Sequence, residues 1–120
     1  MTKVLLAICT FMLFTAFAPT NDSILGIWKA TEMENSTIEV YRNKDGLIYG
    51  KIISSDEQDF IDKLVLKKAK YDPEDNVWRG EIYSLKKDMT IDVTLSLISD
   101  KKLKIVGKKY FVTKTFYWEK

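Results

Sequence analysis

The sequence predicts an all-β domain, a single antiparallel up-and-down barrel of about eight strands, and three observations support this prediction. Residues 90–97 read Thr-Ile-Asp-Val-Thr-Leu-Ser-Leu, and such alternation of polar and apolar side chains is typical of a strand with one buried and one exposed face. Similar short segments recur between Gly26 and Glu119 and are separated by turn-forming residues. Their connections are short, so neighbouring strands are expected to pair antiparallel, and about eight strands suffice to close a barrel.

A secretory leader is predicted over residues 1–18. Lys3 precedes an apolar run from Val4 to Phe17, and Ala16-Phe17-Ala18 supplies the small residues typical of a leader cleavage site. A membrane anchor is the alternative, but the run is shorter than the roughly 20 residues that span a bilayer. We therefore expect export to the periplasm or to the outside of the cell, and one folded domain over residues 19–120.

The composition excludes several classes of chemistry. The sequence has no histidine and a single cysteine, Cys9, which lies in the predicted leader. The commonest general base, the commonest transition-metal ligand and the thiol nucleophile are therefore absent from the domain, so we expect no catalytic triad, no zinc site, no cofactor and no enzyme activity. Without Lys3, 18 of the 19 basic residues remain against 17 acidic ones. This balance gives no long-range attraction for a polyanion such as nucleic acid.

Three strands are expected in the first half of the domain, at residues 26–30, 37–42 and 47–53. Asp45-Gly46 favours a tight hairpin between the second and third of them, because both residue types tolerate positive φ. Ser55 and Gln58 have the spacing of a capping box, so one short helix is expected near residues 55–63. Its apolar side chains, with Phe60 among them, would cover an open end of the barrel.

Five further strands are expected in the second half, at residues 64–71, 77–84, 90–98, 102–107 and 111–119. Pro73 fixes φ in the turn that follows the first of these. The alternative architecture is a two-sheet sandwich, which usually needs a long crossover connection. Only the segment from Ser54 to Lys63 is long enough to supply one, so the barrel is the favoured architecture.

Two sets of motifs carry a family resemblance. Gly26-Ile27-Trp28 resembles the Gly-x-Trp signature of lipocalin-type barrels, in which the indole plugs the closed end. The chain also resembles a bacterial family of exported proteins catalogued as domain of unknown function 2147. The matching segments run in order over nearly the whole domain: Ile38-Glu39-Val40-Tyr41, Asp45-Gly46-Leu47-Ile48-Tyr49-Gly50-Lys51-Ile52, Trp78-Arg79-Gly80-Glu81-Ile82-Tyr83, Leu103-Lys104-Ile105-Val106-Gly107 and Trp118-Glu119-Lys120. The sequence departs from the family at residues 53–66 and 85–89, where members carry an Asn-Pro element and a Pro-x-x-Gly turn. The resemblance implies a lipocalin-like (calycin-like) barrel and export, and it carries over no catalytic residue.

The candidate ligand site is the interior of the predicted barrel. Its wall is expected to consist of the side chains that alternate inward, namely Trp28, Val40, Ile52, Ile82, Val93, Leu95, Ile105 and Phe116. The side of Phe116 is left open, because the last strand has large residues on both faces. Arg42 continues the face of Val40 and is expected at the mouth, where its guanidinium would meet a ligand carboxylate.

Charged clusters in the sequence have simpler explanations than a site. Asp56, Glu57, Asp59 and Asp62 lack the glycine turn and the spacing of a calcium loop, and the start of a helix on a solvated loop explains them. Lysines at positions 67, 68, 70, 101, 102, 104, 108, 109 and 114 fall on neighbouring late strands. They indicate a solvated outer face that resists edge-to-edge aggregation, with peripheral contact to anionic envelope lipids as the alternative.

Two functions remain open from the residues alone. The first is an exported carrier that binds a small hydrophobic or amphipathic ligand in the cell envelope without chemistry. The second is a filled barrel whose outside serves as a protein-interaction or envelope-maintenance module. Gly50, Gly80 and Gly107 lie inside predicted strands, where a missing side chain marks either a bend or a space that another group approaches. The oligomeric state is not fixed by the sequence.

Overall fold

Eight antiparallel strands form a closed up-and-down barrel in the computed structural model, which describes residues 20–120. Each strand pairs with the next in the chain, and β1 also pairs with β8. The strands are β1 (Gly26–Ala30), β2 (Ser36–Arg42), β3 (Ile48–Ser54), β4 (Leu64–Asp72), β5 (Val77–Ser84), β6 (Met89–Ser99), β7 (Lys102–Lys109) and β8 (Val112–Glu119). The predicted fold class, a small lipocalin-like barrel, is confirmed. The predicted secretory leader lies outside the described residues.

The predicted β2–β3 hairpin forms, but only Gly46 of the two predicted turn residues adopts positive φ. Gly46 adopts a φ of 85°, and the Asp45 carboxylate accepts a hydrogen bond from the backbone N–H of Leu47 at 2.9 Å. The backbone N–H of Asn43 donates to the carbonyl oxygen of Leu47 at 2.8 Å and closes the turn. A side chain at Gly46 would be strained by the backbone alone, because positive φ favours glycine.

The predicted helix near residues 55–63 is reduced to one turn of 3₁₀ helix, Gln58–Phe60. The predicted capping box is wrong, because Glu57 and not Ser55 stands at the N-cap of this turn, and its side chain makes no capping hydrogen bond. The hydroxyl of Ser55 accepts a hydrogen bond from the backbone N–H of Glu57, at 3.1 Å. The segment is instead held as a loop by the β1–β2 connection, where the Asn35 amide donates to the Asp56 carboxylate at 2.7 Å. Tertiary contacts with the neighbouring loop therefore override the local helix signal.

The N-terminal segment, Thr20–Leu25, closes one end of the barrel, which we call the closed end. Ile24 is fully buried there, and its carbonyl oxygen accepts a hydrogen bond from the Trp28 indole N–H at 2.8 Å. The Trp78 indole N–H donates to the carbonyl oxygen of Asn21 at 3.2 Å. Both indoles thus bury their rings and satisfy their only donor on backbone that crosses this end.

The centre of the barrel is filled by apolar side chains and by close approach of the strands. The buried set includes Trp28, Ile38, Ile52, Leu66, Leu95, Leu103 and Ile105. A Cβ atom on Gly80 would lie 2.8 Å from the Ala69 Cα atom, and one on Gly50 would lie 3.0 Å from the Leu66 Cβ atom. These glycines therefore let neighbouring residues pack closely, and the space beside them is already occupied.

The opposite end, which we call the mouth, is formed by four connections. They are the β1–β2 loop (residues 31–35), the β3–β4 loop (55–63), the β5–β6 turn (85–88) and the β7–β8 turn (110–111). The β1–β8 seam is short, since Lys29↔Glu119 is its one register pair among residues 20–120. Most of β8 consequently pairs with β7 alone and borders the mouth. No helix in the described part of the chain is long and apolar enough to cross a membrane.

Candidate functional site

A cavity of about 210 Å³ opens at the mouth. Ile82, Ile91 and Phe116 line its apolar part. Met33, Phe60 and Leu85 also line it, and all three are partly buried against the core. The cavity therefore combines an apolar floor with walls from three mouth connections, an arrangement that suits the apolar part of a small ligand.

Glu32 is one of the two acidic residues that line this cavity. Its carboxylate accepts a hydrogen bond of 3.0 Å from the indole N–H of Trp118, whose ring is fully buried. Partial burial of the carboxyl group raises the pKa of Glu32 above its ordinary value of 4.5, and the hydrogen bond from Trp118 and the positive charge of Lys114 act against this rise. Glu32 and Lys114 both line the cavity. The cavity wall therefore carries an acidic and a basic side chain beside the apolar floor.

A second charged pair crosses the mouth. The Lys86 ammonium group forms an ion pair with the Glu34 carboxylate. In a ring of eight strands, the β5–β6 turn and the β1–β2 loop stand on opposite sides. The backbone carbonyl of Glu34 also accepts a hydrogen bond of 2.9 Å from the N–H of Asp56 on the β3–β4 loop. Three of the four mouth connections are thus joined above the cavity.

A broader depression of about 580 Å³ lies on the outer face of β4 to β7. Its rim mixes positive and negative side chains, with Lys68, Arg79 and Lys108 beside Glu81 and Asp92. Outward-facing residues form this rim and leave it widely open to water. The mouth cavity is the better candidate site, because a ligand there would lose more contact with water.

The structure distributes the predicted site residues over three places. Ile82 and Phe116 line the mouth cavity. The remaining apolar residues of the predicted wall are buried in the barrel, and they are Trp28, Val40, Ile52, Val93, Leu95 and Ile105. Arg42 lies at the closed end, where its guanidinium donates to the Asp22 carboxylate at 2.5 Å and to the Gly46 carbonyl oxygen at 2.8 Å. The structure therefore does not bring Arg42 together with the cavity.

Several cavity residues were missed by the sequence reasoning. Ile91 begins the alternating run that continues through Val93 and Leu95, so its inward side could be inferred from that run. Lys114 has the same parity along β8 as Phe116 and Trp118, which places it on the cavity side of the strand although it stays exposed. No sequence signal marks Glu32, because its role depends on how the β1–β2 loop folds over Trp118.

The fold and the site define a small lipocalin-like barrel with a packed centre and a cavity at one end. Comparisons with known protein families, with curated proteins and with solved structures found no match to this chain. The resemblance to the exported bacterial family catalogued as domain of unknown function 2147 therefore stays a prediction.

Proposed function

We propose that this protein binds a small amphipathic molecule at the mouth of its barrel and catalyses no reaction on it. The observation that carries the proposal is the convergence, in one cavity, of an apolar floor and charged side chains. Ile82, Ile91 and Phe116 offer the apolar surface, and Glu32 and Lys114 stand beside it. A molecule with one apolar end and one polar end matches this arrangement.

The volume of the cavity limits the size of the ligand. Sites that enclose drug-sized molecules measure about 300–1,000 Å³, whereas an engineered apolar cavity of about 150 Å³ holds benzene. At about 210 Å³, the mouth accepts a short alkyl chain or a single ring. The polar end of the ligand then stays at the charged rim, in contact with water.

The charges favour an anionic head group. The cavity lining contains three lysines, Lys86, Lys87 and Lys114, and two carboxylates, Glu32 and Glu34. One lysine is paired with Glu34 across the mouth, and Glu32 is engaged by the Trp118 indole. A carboxylate or phosphate group on the ligand would therefore be attracted to the lysines that remain.

Titration with decanoate tests this proposal, with decanol as the uncharged control. We expect native mass spectrometry to show one added decanoate and the emission of Trp118 to change, because its indole bonds to Glu32 at the cavity. Lys114→Gln should weaken binding about fivefold, the effect of losing roughly 1 kcal/mol of charge attraction. Lys104→Gln, a change on the neighbouring strand β7 outside the cavity lining, is the matched control.

Failure of this titration would favour the second candidate, a filled barrel that acts as a protein-interaction or envelope-maintenance module. The specific observation behind it is the packed centre, where the backbone of Ala69 leaves no room for a side chain on Gly80. Unchanged mass and unchanged tryptophan emission at millimolar decanoate would reject the carrier function and leave this candidate.

The cellular setting is proposed from the sequence. The predicted leader over residues 1–18 supports export to the periplasm or to the outside of the cell. N-terminal sequencing of the protein isolated from its native cells tests this, and a mature chain that begins at or soon after Pro19 is expected. A chain that still begins at Met1 would contradict export through a cleaved leader.

A further inference from the structure

The β7–β8 turn is an exposed apolar tip. Tyr110, Phe111 and Val112 are consecutive, and their exposed fractions are 90%, 104% and 67%. The other large apolar side chains that are exposed among residues 20–120 stand singly on strands or loops, as Ile27, Ile53, Ile61, Ile98 and Tyr117. Single exposed apolar residues are common on protein surfaces, but a run of three exposed ones is unfavourable unless something covers it.

Three other turns of the same barrel expose polar residues or glycine where the β7–β8 turn exposes apolar side chains. The β2–β3, β5–β6 and β6–β7 turns expose Asn, Lys, Asp or Gly at their tips, as hairpins normally do. Tyr110 also has a positive φ of 56°. Glycine, asparagine or aspartate would adopt this conformation at lower cost, so turn formation does not explain an aromatic residue here.

Positive charge surrounds the tip. Lys108 and Lys114 flank it on β7 and β8, and both are exposed. Lys109 lies 5.7 Å from the Tyr110 ring centroid and donates to the Thr90 carbonyl oxygen at 3.0 Å, which ties the tip to β6. The neighbouring β5–β6 turn adds Lys87, with Asp88 as its one acid, and it also carries Lys86, which is paired with Glu34.

Negative charge is concentrated on the other side of the mouth. The β3–β4 loop stands opposite the β7–β8 turn in the ring of eight strands. It carries the exposed carboxylates Asp56, Glu57, Asp59 and Asp62. The mouth is therefore divided into a basic side with an apolar tip and an acidic side.

We propose that the β7–β8 tip inserts into the surface of an anionic phospholipid bilayer. Aromatic side chains with adjacent lysines are typical of segments that lie at the boundary between head groups and acyl chains. The lysines would meet the anionic head groups, while the acidic β3–β4 loop would face away from them. This orientation brings the edge of the cavity formed by Lys114 and Phe116 close to the lipid. The inference does not depend on ligand binding by the cavity.

Co-sedimentation of the whole protein with vesicles tests the proposal. We expect binding to vesicles of phosphatidylglycerol and phosphatidylethanolamine, weaker binding at high salt, and little binding to pure phosphatidylcholine. Phe111→Ser should weaken binding to the anionic vesicles about tenfold, because it removes the most exposed aromatic ring. Ile98→Ser is the matched control, since Ile98 is also apolar and 51% exposed but lies near the closed end of β6. It should bind like the unchanged protein.

A tryptophan at the tip gives a second readout. Trp28, Trp78 and Trp118 are fully buried, so the emission that Phe111→Trp adds comes from the tip. A shift of this emission to shorter wavelength with anionic vesicles is expected, as the indole leaves water. The proposal is overturned if anionic vesicles bind no protein, if Phe111→Ser binds as well as the unchanged protein, or if the new emission does not move. It is equally overturned if sedimentation velocity shows a dimer that Phe111→Ser turns into a monomer, because the tip would then serve contact between copies.

Discussion

The two ends of the barrel are built on different principles. At the closed end, Trp28 and Trp78 are fully buried, and each indole N–H bonds to a backbone carbonyl of the N-terminal segment. At the mouth, Phe60 and Phe116 are only partly buried, and Glu32 occupies the single donor of Trp118. The closed end maximises packing, whereas the mouth keeps apolar surface and charged groups accessible.

This difference indicates that the closed end mainly contributes stability and that the mouth mainly contributes ligand recognition. Burial of an apolar side chain stabilises the fold in proportion to the surface removed from water, so the effect is greatest where its surroundings close around it. The accessible cavity lies at the end where they do not close. Substitutions at the closed end should therefore mainly change stability, and substitutions at the mouth should mainly change binding.

Trp28→Ala is expected to have the largest effect. Removal of this fully buried indole should lower the free energy of unfolding by about 3–5 kcal/mol. Phe116→Ala at the mouth should cost about 1–2 kcal/mol, because the ring is only partly buried. Urea unfolding followed by circular dichroism measures both values, and Trp28→Phe serves if the alanine variant does not fold. Equal costs at the two sites would contradict the separation.

Gly80→Ala is expected to have the next largest effect. The added Cβ would lie 2.8 Å from the Ala69 Cα atom, and a backbone atom cannot move aside cheaply. We expect a loss of about 1–3 kcal/mol. Gly107→Ala is the matched change nearer the mouth, where the nearest atom is the Ile91 methyl carbon at 3.2 Å and a side chain can adjust. Thermal unfolding should place Gly80→Ala clearly below Gly107→Ala, and the reverse order would contradict a tightly packed centre.

The pH dependence of stability should carry a signature of Glu32. Because its native pKa is raised by burial, its stabilising contribution is complete at low pH and is lost as the pH rises through that pKa. Stability relative to Glu32→Gln should therefore fall as the pH rises above the ordinary pKa of a glutamate, 4.5. Asp45 has a lowered pKa because Tyr49 donates to its carboxylate, so stability relative to Asp45→Asn should be constant above its ordinary pKa of 3.8 and fall as the pH drops below it. Urea midpoints above pH 4.5 measure the Glu32 difference, and midpoints below pH 3.8 measure the Asp45 difference. Parallel curves for the protein and Glu32→Gln would contradict the assignment.

Lys86→Gln is expected to have the smallest effect. The side chain of Lys86 is 69% exposed and that of its partner Glu34 is 35% exposed, and such surface pairs contribute about 0–1 kcal/mol. The melting temperature should hardly move, whereas binding of an anionic ligand at the mouth should weaken. A large drop in stability would show that the pair holds the mouth connections together and does not merely border the cavity.

The fold was predictable because it depends on a local pattern. Alternation in the run from Thr90 to Leu97 and turn residues such as Gly46 define strands and hairpins with no distant contact. The observed strand limits differ from the expected ones by one or two residues at several ends, as in β7, which continues to Lys109. The capping-box signal at Ser55 failed because contacts between loops decide that segment.

The site was less predictable because alternation gives the side of a residue but not its height along the barrel. Ile82 and Leu95 both face inward, yet Ile82 lines the cavity and Leu95 is sealed in the centre. This height depends on how far each strand is shifted along its neighbour. The pairing of β1 with β8 through Lys29 and Glu119 completes the ring and thereby sets the total shift. Arg42 was expected at the mouth for the same reason, since parity alone does not show which end the N-terminal segment closes.

Nuclear magnetic resonance of isoleucine methyl groups, during titration with decanoate, is the most direct test of the central claim. The claim is that recognition occurs at the mouth of a barrel whose centre is full. The methyl signals of Ile82 and Ile91, which line the cavity, should shift with added decanoate, and those of the fully buried Ile38 and Ile105 should not. Shifts centred on Ile38 and Ile105, or no shift at any isoleucine, would contradict the account.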